Sequence, residues 1–203
     1  MAVIIWPDYR VARFSWRKAN QATTFKSVFG SQSLEAATPL VEVSMTGVSE
    51  SRVIARQIQA TIDALDGFKN QLALWNLELP VPAGTMRGAM ALQANSLQGA
   101  TSITIAAGAG QAGKTLLAGD LLGFGGGINQ QVVRVAANAN ADASGNIIVR
   151  LSTPLRYQFA AGDAIAWDHP KALFRLASAA PAVNFGAEGA EAWALDLIED
   201  WRP

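Results

Sequence analysis

The 203-residue chain contains no cysteine and a single histidine, and only 16% of its residues are charged. The absence of cysteine excludes disulfides, thiol nucleophiles, zinc ribbons and iron–sulfur clusters. One histidine, His169, is too few for histidine-rich metal sites and for most acid–base pairs of enzymes. Basic and acidic residues number 16 each, so the net charge is zero. A neutral chain lacks the basic surface that nonspecific nucleic-acid binding needs, and it favours self-association.

Long hydrophobic runs are missing as well. The longest uncharged stretch, 88–113, carries amides and several glycines, so we expect no membrane span there. The N-terminal apolar run covers about five residues and follows no basic region, which predicts no secretory signal. Half of the residues are nevertheless hydrophobic. A chain of this length can bury about 70% of the surface that its unfolded form exposes. Its length and its hydrophobic content together therefore predict a folded protein.

Short runs in which apolar and polar residues alternate dominate the sequence and predict β-strands. The clearest runs lie at 9–18, 40–48 and 71–79. Turn residues separate the runs at near-regular spacing, which is typical of a sandwich or barrel rather than of alternating strands and helices. The further candidate strands are 86–94, 101–107, 131–137, 147–152, 164–167, 173–177 and 192–201.

One segment, 49–66, has helical rather than strand periodicity. Its apolar positions are Ile54, Ile58, Ile62 and Leu65. Spacings of three and four residues place these side chains on one face of a helix. Ser49 is the predicted N-cap, and Gly67 suits the position after the C-cap. We therefore predict a single amphipathic helix that covers one open side of a sheet.

Two boundaries that contain proline divide the sequence. Residues 79–84 include two prolines and a glycine, which predicts an extended linker. A second boundary at 168–170 is expected because proline disfavours a central strand. Between them the chain is poor in charge and aromatics. We predict a discontinuous β body, residues 1–83 and 170–203, with a second β domain inserted at 84–169.

The inserted segment carries turn and hairpin signals. The phrase at 118–122 (AGDLL) recurs at 161–165 (AGDAI), and Gly-Asp before an apolar run predicts a turn that begins a strand. The turn-forming stretch 138–146 predicts a hairpin between the strands at 131–137 and 147–152. Two hairpins and a leading strand suffice for a small Greek-key barrel of about five strands. The predicted fold is therefore mainly β: a sandwich or split-barrel body with one helix, plus this inserted barrel.

Residues 108–115 (GAGQAGKT) match the phosphate-binding loop consensus at every fixed position. In a nucleotide-binding protein Lys114 would reach the phosphate oxygens and Thr115 would hold Mg²⁺. The motif also requires a helix after Thr115, yet a run of glycines follows within a few residues. We interpret the segment as a glycine-rich hairpin loop, and nucleotide binding is kept as an alternative.

Other motifs of enzymes and metal sites are incomplete. Residues 140–145 are similar to the start of a calcium loop, but Leu151 occupies the twelfth position, where a glutamate is needed. Residues 47–51 lack the final glycine of a nucleophile elbow. We therefore predict no enzyme activity, no cofactor and no metal.

The charges are unevenly distributed although their sum is zero. Basic residues dominate as far as Lys26, and acidic residues dominate from Glu188 onward. In one interpretation the two terminal strands pair within the chain and their charges meet. In the other, a basic edge of one subunit contacts an acidic edge of the next, head to tail, which can close a ring. The candidate interface residues are Arg10, Arg13, Arg17, Glu191, Asp196 and Glu199.

The order of elements and several short phrases also carry a resemblance. The order is strand, strand, helix, strand, a proline-flanked β insert and two closing strands. The phrases are 84–88 (GTMRG), 118–120 (AGD), 132–135 (VVRV), 142–146 (DASGN), 154–156 (PLR), 161–163 (AGD) and 172–177 (ALFRLA). In layout and wording the chain resembles the distal tail proteins of long-tailed bacteriophages and related tail and baseplate proteins.

This resemblance implies a structural protein of the virion. Members of the family form a hexameric ring that joins the tail tube to the tail tip or baseplate around the DNA channel. The body would form the ring, and an OB-like or galectin-like insert would project outward. The implied partners are the tube and tip proteins, with DNA only as passing cargo, no membrane insertion, and assembly in the bacterial cytoplasm. The alternative is a carbohydrate-binding module, because OB-like barrels also bind oligosaccharides.

Overall fold

The computed structural model describes residues 2–7, 9–20, 22–35, 39–48, 50–178, 183–185 and 189–201. Within these ranges the fold is mainly β with one α-helix, as predicted. The chain divides into two compact units, residues 1–73 with 173–203 and residues 74–172. We call them the body unit and the barrel unit. The predicted insert covers residues 84–169, so it begins later and ends earlier than the barrel unit.

The elements follow one another in three stretches of the chain. The first stretch contains β1 (Val3–Ile5), β2 (Val11–Ala19), β3 (Ala22–Ser27), β4 (Gly30–Glu35), β5 (Leu40–Gly47), β6 (Glu50–Ser51), α1 (Arg52–Ala64) and β7 (Gln71–Trp75). The second contains β8 (Met90–Leu92), β9 (Ser102–Ala106), β10 (Thr115–Leu116), β11 (Leu121–Phe124), β12 (Gln131–Arg134), β13 (Ala139–Asn140), β14 (Asn146–Arg150) and β15 (Ala164–Ala166). The third contains β16 (Lys171–Leu176), β17 (Val183–Phe185) and β18 (Gly189–Glu199).

The main sheet of the body unit has the strand order β1-β7-β16-β18-β5-β2. β1 lies parallel to β7, whereas β5 pairs antiparallel with both β18 and β2. β6 and β17 pair with the N-terminal part of β18. Because β5 separates β2 from β18, the basic and acidic terminal strands do not pair directly. Among the described residues, β1 and β2 form the two ends of this strand order.

Helix α1 confirms the predicted helical segment, with a shorter extent. Ile58, Ile62 and Leu65 are buried and Ile54 is half-buried, so the predicted stripe faces the protein. The helix begins later than predicted because residues 50–51 pair with β18, and Ser51 takes the N-cap position. The predicted cap, Ser49, lies outside the described residues.

Two buried tryptophans mark the core of the body unit. The ring centroids of Trp6 and Trp193 are 5.6 Å apart, and each side chain is 1% exposed. Gly47 lies directly beside Trp193, and a Cβ there would stand 1.7 Å from the indole Nε1. Glycine is therefore required at the end of β5 because a side chain there would collide with Trp193, and not because of an unusual φ angle.

The barrel unit contains a six-stranded sheet with the order β12-β11-β15-β8-β9-β14. An antiparallel bridge between Val135 and Leu151 joins its first strand to its last. Two backbone hydrogen bonds of 2.8 Å flank the bridge, from Ala136 to Arg150 and from Ser152 to Arg134. The predicted hairpin between 131–137 and 147–152 is confined to this short contact, because β14 pairs along its length with β9.

Every strand of this six-stranded sheet contributes buried apolar side chains to one core. On β9, for example, Ile103 and Ile105 are buried while the alternate residue Thr104 points outward. Alternation of this kind produces a barrel with an apolar interior and a polar exterior.

The repeated Gly-Asp phrase forms two equivalent turns, as the sequence predicts. Asp120 accepts a hydrogen bond of 2.7 Å from the amide of Leu117, three residues earlier. Asp163 accepts the corresponding bond of 2.8 Å from Ala160. The strands that follow, β11 and β15, pair with each other. Asp120 is buried and also binds the amides of residues 83 and 84, at 2.7 and 3.1 Å.

Candidate assembly and binding surfaces

The hairpin formed by β3 and β4, residues 22–35, extends beyond the body sheet. Its two strands pair only with each other among the described residues. All of its side chains that the structure describes are exposed, including Val28 at 97% and Phe29 at 100% at the tip. We call this hairpin the arm. The sequence did not predict it, since no candidate strand was placed between residues 18 and 40.

The arm has one apolar and one polar face. Phe25 lies opposite Gln32 and Leu34 opposite Thr23, so the two apolar side chains share a face. Phe25 is 60% exposed and Leu34 is 69% exposed. On the other face the hydroxyls of Thr24 and Ser33 are 3.1 Å apart. A two-stranded hairpin is marginally stable alone, and none of the other described residues covers the apolar face of this one.

The arm continues the pairing of β2 with β5. That ladder ends with Ala19 opposite Leu40, and the arm begins with Ala22 opposite Glu35. In chain order, β2 of the body sheet therefore leads into the arm, and β5 of the same sheet follows it.

The predicted basic residues lie on and before the strand that leads into the arm. Arg10, Arg13 and Arg17 are all exposed. Arg17 forms an ion pair with Glu42 on β5, with Nη2 and Oε2 2.6 Å apart and a second bond from Nε at 2.9 Å. Such an exposed pair contributes only about 0–1 kcal/mol, so Arg17 stabilises the sheet modestly.

Arg17 and Asp196 border the same groove, of about 460 Å³, on the body sheet. Ser15 lies opposite Ser44 on β5, and Ser44 lies opposite Asp196 on β18. The structure thus brings a basic and an acidic candidate residue to one polar surface, with β5 between them.

The remaining acidic candidates differ from Asp196. Glu199 is only 4% exposed, and its Oε2 accepts a hydrogen bond of 2.9 Å from the amide of Val41. This buried carboxylate therefore stabilises the body unit from within and does not contribute to its charged surface. Glu191 lies on β18, and its side chain falls outside the described part of the structure.

The segment that matches the phosphate-binding loop connects β9 to β10. It contains a short 3₁₀ turn at Ala109–Gln111, and Gly108 and Gly113 have φ angles of 79° and 70°. Residues after the lysine form a strand, whereas a phosphate-binding loop opens a helix there. The hydroxyl of Thr115 lies 3.2 Å from that of Thr85. β9 and β10 belong to different sheets, so the segment is not a hairpin loop either.

The segment similar to a calcium loop is a tight turn. Asp142 Oδ1 accepts hydrogen bonds from the amides of Asn146 at 2.9 Å and Ser144 at 2.8 Å. These bonds, the one from Asn146 above all, hold the pKa of Asp142 below its ordinary value. Within the described ranges, no group of three or more His, Asp or Glu side chains could hold a metal ion.

His169 lies at the second predicted boundary. Its φ of 46° is unusual for a residue other than glycine, and its amide donates to the carbonyl of Pro80 at 2.8 Å. Nδ1 lies 2.6 Å from Asp168 Oδ1, and the ring packs edge-on against Trp75 at 5.3 Å. The side chain is therefore engaged by its neighbours and holds a turn.

A groove of about 520 Å³ lies on the outside of the barrel unit. We call it the amide groove. The residues that line it are Gln93, Thr104, Ala137, Asn138, Ala139, Asn140, Asp142, Asn146, Ile148 and Arg150. They come from β9, β13 and β14 and from the connections that follow β8, β12 and β13. Because these segments are distant in sequence, local patterns could not reveal the groove.

Comparisons with known proteins leave the family of the chain open. No family model matches it, and no curated protein matches it. In the part of the chain that the structure describes, no helix is long and apolar enough to cross a membrane. The function must therefore be argued from the surfaces described above.

Proposed function

We propose that this chain is a structural subunit of a bacteriophage tail. In this proposal it forms a ring at the distal end of the tail, with six copies as the family resemblance implies. The ring joins the tail tube protein to tip or baseplate proteins and surrounds the channel through which DNA passes. It is assembled in the bacterial cytoplasm and becomes part of the virion.

The arm is the observation that carries the proposal. Its apolar face, with Phe25 and Leu34, and its tip, with Phe29, are uncovered by the chain's own described residues. Burying an apolar side chain of this size stabilises an interface by about 1.5–3 kcal/mol. A second copy of the chain is the occupant that we propose, because a neutral chain favours self-association.

The two edges of the body sheet favour a ring over a twofold dimer. The edge strands differ, since β1 has three residues and lies parallel to its neighbour, whereas β2 has nine and lies antiparallel. Contacts between unlike edges are heterologous, and heterologous contacts close into rings when the rotation permits. The exposed arginines of β2 would lie at such a contact.

The test is the mass distribution of the purified full-length chain, measured by mass photometry with negative-stain images of the same sample. We expect rings of identical subunits with a central hole. The double substitution Val28→Ser and Phe29→Ser should shift the distribution to monomers, because it removes the apolar tip. Ile128→Ser is the matched control, since this side chain is 58% exposed on the barrel unit.

Charge reversal at Arg10, Arg13 and Arg17 should also weaken assembly. A twofold dimer as the largest species, or a chain that stays monomeric at micromolar concentration with and without the tube protein, would contradict the proposal. If rings persist in the arm variant, the arm does not form the contact between subunits.

A further inference from the structure

The amide groove has the size and position of a ligand site. Its volume of about 520 Å³ lies within the range of about 300–1,000 Å³ that is common for small-molecule sites. Its floor is the outer face of β9 and β14, where Thr104 lies opposite Ile148. The inward residues of the same strands fill the barrel core, so the floor rests on a packed support.

Several polar side chains in the groove have hydrogen-bonding capacity that the described part of the chain does not use. Among the described residues, Gln93, Asn140 and Arg150 have no side-chain hydrogen bond. Asn138 accepts one bond from the amide of Ala118 at 2.8 Å and keeps its NH₂ donors. A primary amide presents a donor and an acceptor side by side. That arrangement suits two neighbouring hydroxyls of a sugar, each of which can also donate and accept.

The charges of the groove cancel. Of the lining residues, only Arg150 and Asp142 are charged. The carboxylate of Asp142 is ionised at neutral pH, and the backbone amides that lower its pKa favour this charged form. A groove with one charge of each sign offers no net attraction to an anionic polymer, whose binding depends on several basic contacts. The electrostatics therefore favour an uncharged ligand.

One apolar side chain lies among these polar groups. Ile148 is 67% exposed and stands in the floor of the groove. Ligand sites commonly combine an apolar contact surface with a few polar groups that fix orientation. A sugar ring meets both requirements, since its C–H face is apolar and its edge carries hydroxyls.

We propose that the amide groove of the barrel unit binds an uncharged oligosaccharide. This inference is independent of ring formation, because every residue that lines the groove lies in the barrel unit.

The experiment is an array of immobilised neutral and acidic oligosaccharides probed with the labelled full-length chain. The neutral glycan that binds best is then titrated in solution by calorimetry. We expect binding to neutral glycans. Ile148→Glu should weaken the affinity at least about tenfold, since it places a charge in the floor and removes the apolar contact. Leu97→Glu is the matched control, because Leu97 is 69% exposed on the same unit, outside the groove.

Gln93→Ala and Asn140→Ala are second variants, which keep the fold because both side chains are exposed. Each should weaken binding several-fold. No binding to any glycan, binding to acidic glycans alone, or equal loss in the Leu97 variant would overturn the proposal. Mass photometry on the same samples separates the two proposals. Rings that bind no sugar contradict the oligosaccharide proposal. A chain that binds sugar but stays monomeric with and without the tube protein contradicts the ring.

Discussion

The two units of this chain complete their sheets in different ways. In the barrel unit the bridge from Val135 to Leu151 links the first and last strands, and apolar side chains from all six strands form one core. In the body unit the strand order ends at β1 and β2, and the arm carries exposed apolar residues away from the core. The barrel closes its sheet on itself, whereas the ends of the body sheet and the arm leave backbone groups and apolar side chains that a second molecule could contact.

This difference assigns separate roles to the two units. Open sheet edges present unpaired amides and carbonyls that another chain can join, and closed barrels have none. Assembly, as we propose it, therefore belongs to the body, and ligand binding belongs to the outside of the barrel. Substitutions that damage one unit alone test this assignment of roles.

Asp120→Ala should produce the largest loss of stability, and the loss should fall on the barrel unit. The carboxylate is 5% exposed and accepts bonds from the amides of Ala83, Gly84 and Leu117. Its removal leaves these amides without their acceptor, in one buried and two partly buried positions. We expect a loss of about 4 kcal/mol in the free energy of unfolding, measured by urea denaturation.

Asp163→Ala is the control for that substitution, because Asp163 occupies the same position in the repeated phrase. It is exposed, and among the described residues its carboxylate accepts one hydrogen bond, from the amide of Ala160. We expect a loss of about 1 kcal/mol or less. Equal losses in the two variants would show that the extra bonds of Asp120 do not stabilise the barrel.

Gly47→Ala should destabilise the body unit instead. The new Cβ would stand 1.7 Å from Nε1 of Trp193, so this buried indole must move. We expect a loss of about 3 kcal/mol, together with a changed near-ultraviolet circular dichroism spectrum of the tryptophans. Gly126→Ala, which has open space around it and an extended φ of −152°, should change stability by less than about 0.5 kcal/mol. If the Gly47 variant kept the parent's stability and spectrum, the surroundings of Trp193 would have to be loosely packed.

The smallest expected effect is the pH dependence at Asp142. Its pKa is lowered in the folded state, so the stabilisation is present above the ordinary pKa and is lost as pH falls through the folded value. Asp142→Asn should therefore lose less stability than the parent between about pH 5 and about pH 2. Urea denaturation at the two pH values measures the difference. Parallel pH profiles would contradict this role of the turn.

Local patterns in the sequence predicted most of the regular structure. The helix follows from the spacing of Ile58, Ile62 and Leu65, and the Gly-Asp turns follow from the repeated phrase. These features depend on residues that are close in sequence. The arm was missed because its apolar residues are few, and its tip, Val28 and Phe29, lacks the Asn-Gly or Asp-Gly pair that signals a tight hairpin.

The candidate sites were less accessible to sequence reasoning. The interface residues were chosen by charge, yet Glu199 is buried while Asp196 is exposed, three residues apart on one strand. Alternation along a strand predicts that two such residues face opposite sides, but it does not tell which side is covered. The amide groove combines Gln93 with Asn140 and Arg150, which no local pattern connects.

Composition and local patterns alone predict a mainly β chain with one helix, no cysteine chemistry and no net charge. Hydrophobic periodicity and turn residues act over a few positions, so they can be read directly. The strand order follows from the tertiary structure: β5 separates β2 from β18, and the ends of β12 and β14 meet to close the barrel. The exposure of the arm among the described residues is also a tertiary property. Strand order and register depend on contacts between residues that are distant in sequence, and the burial of each side chain follows from them.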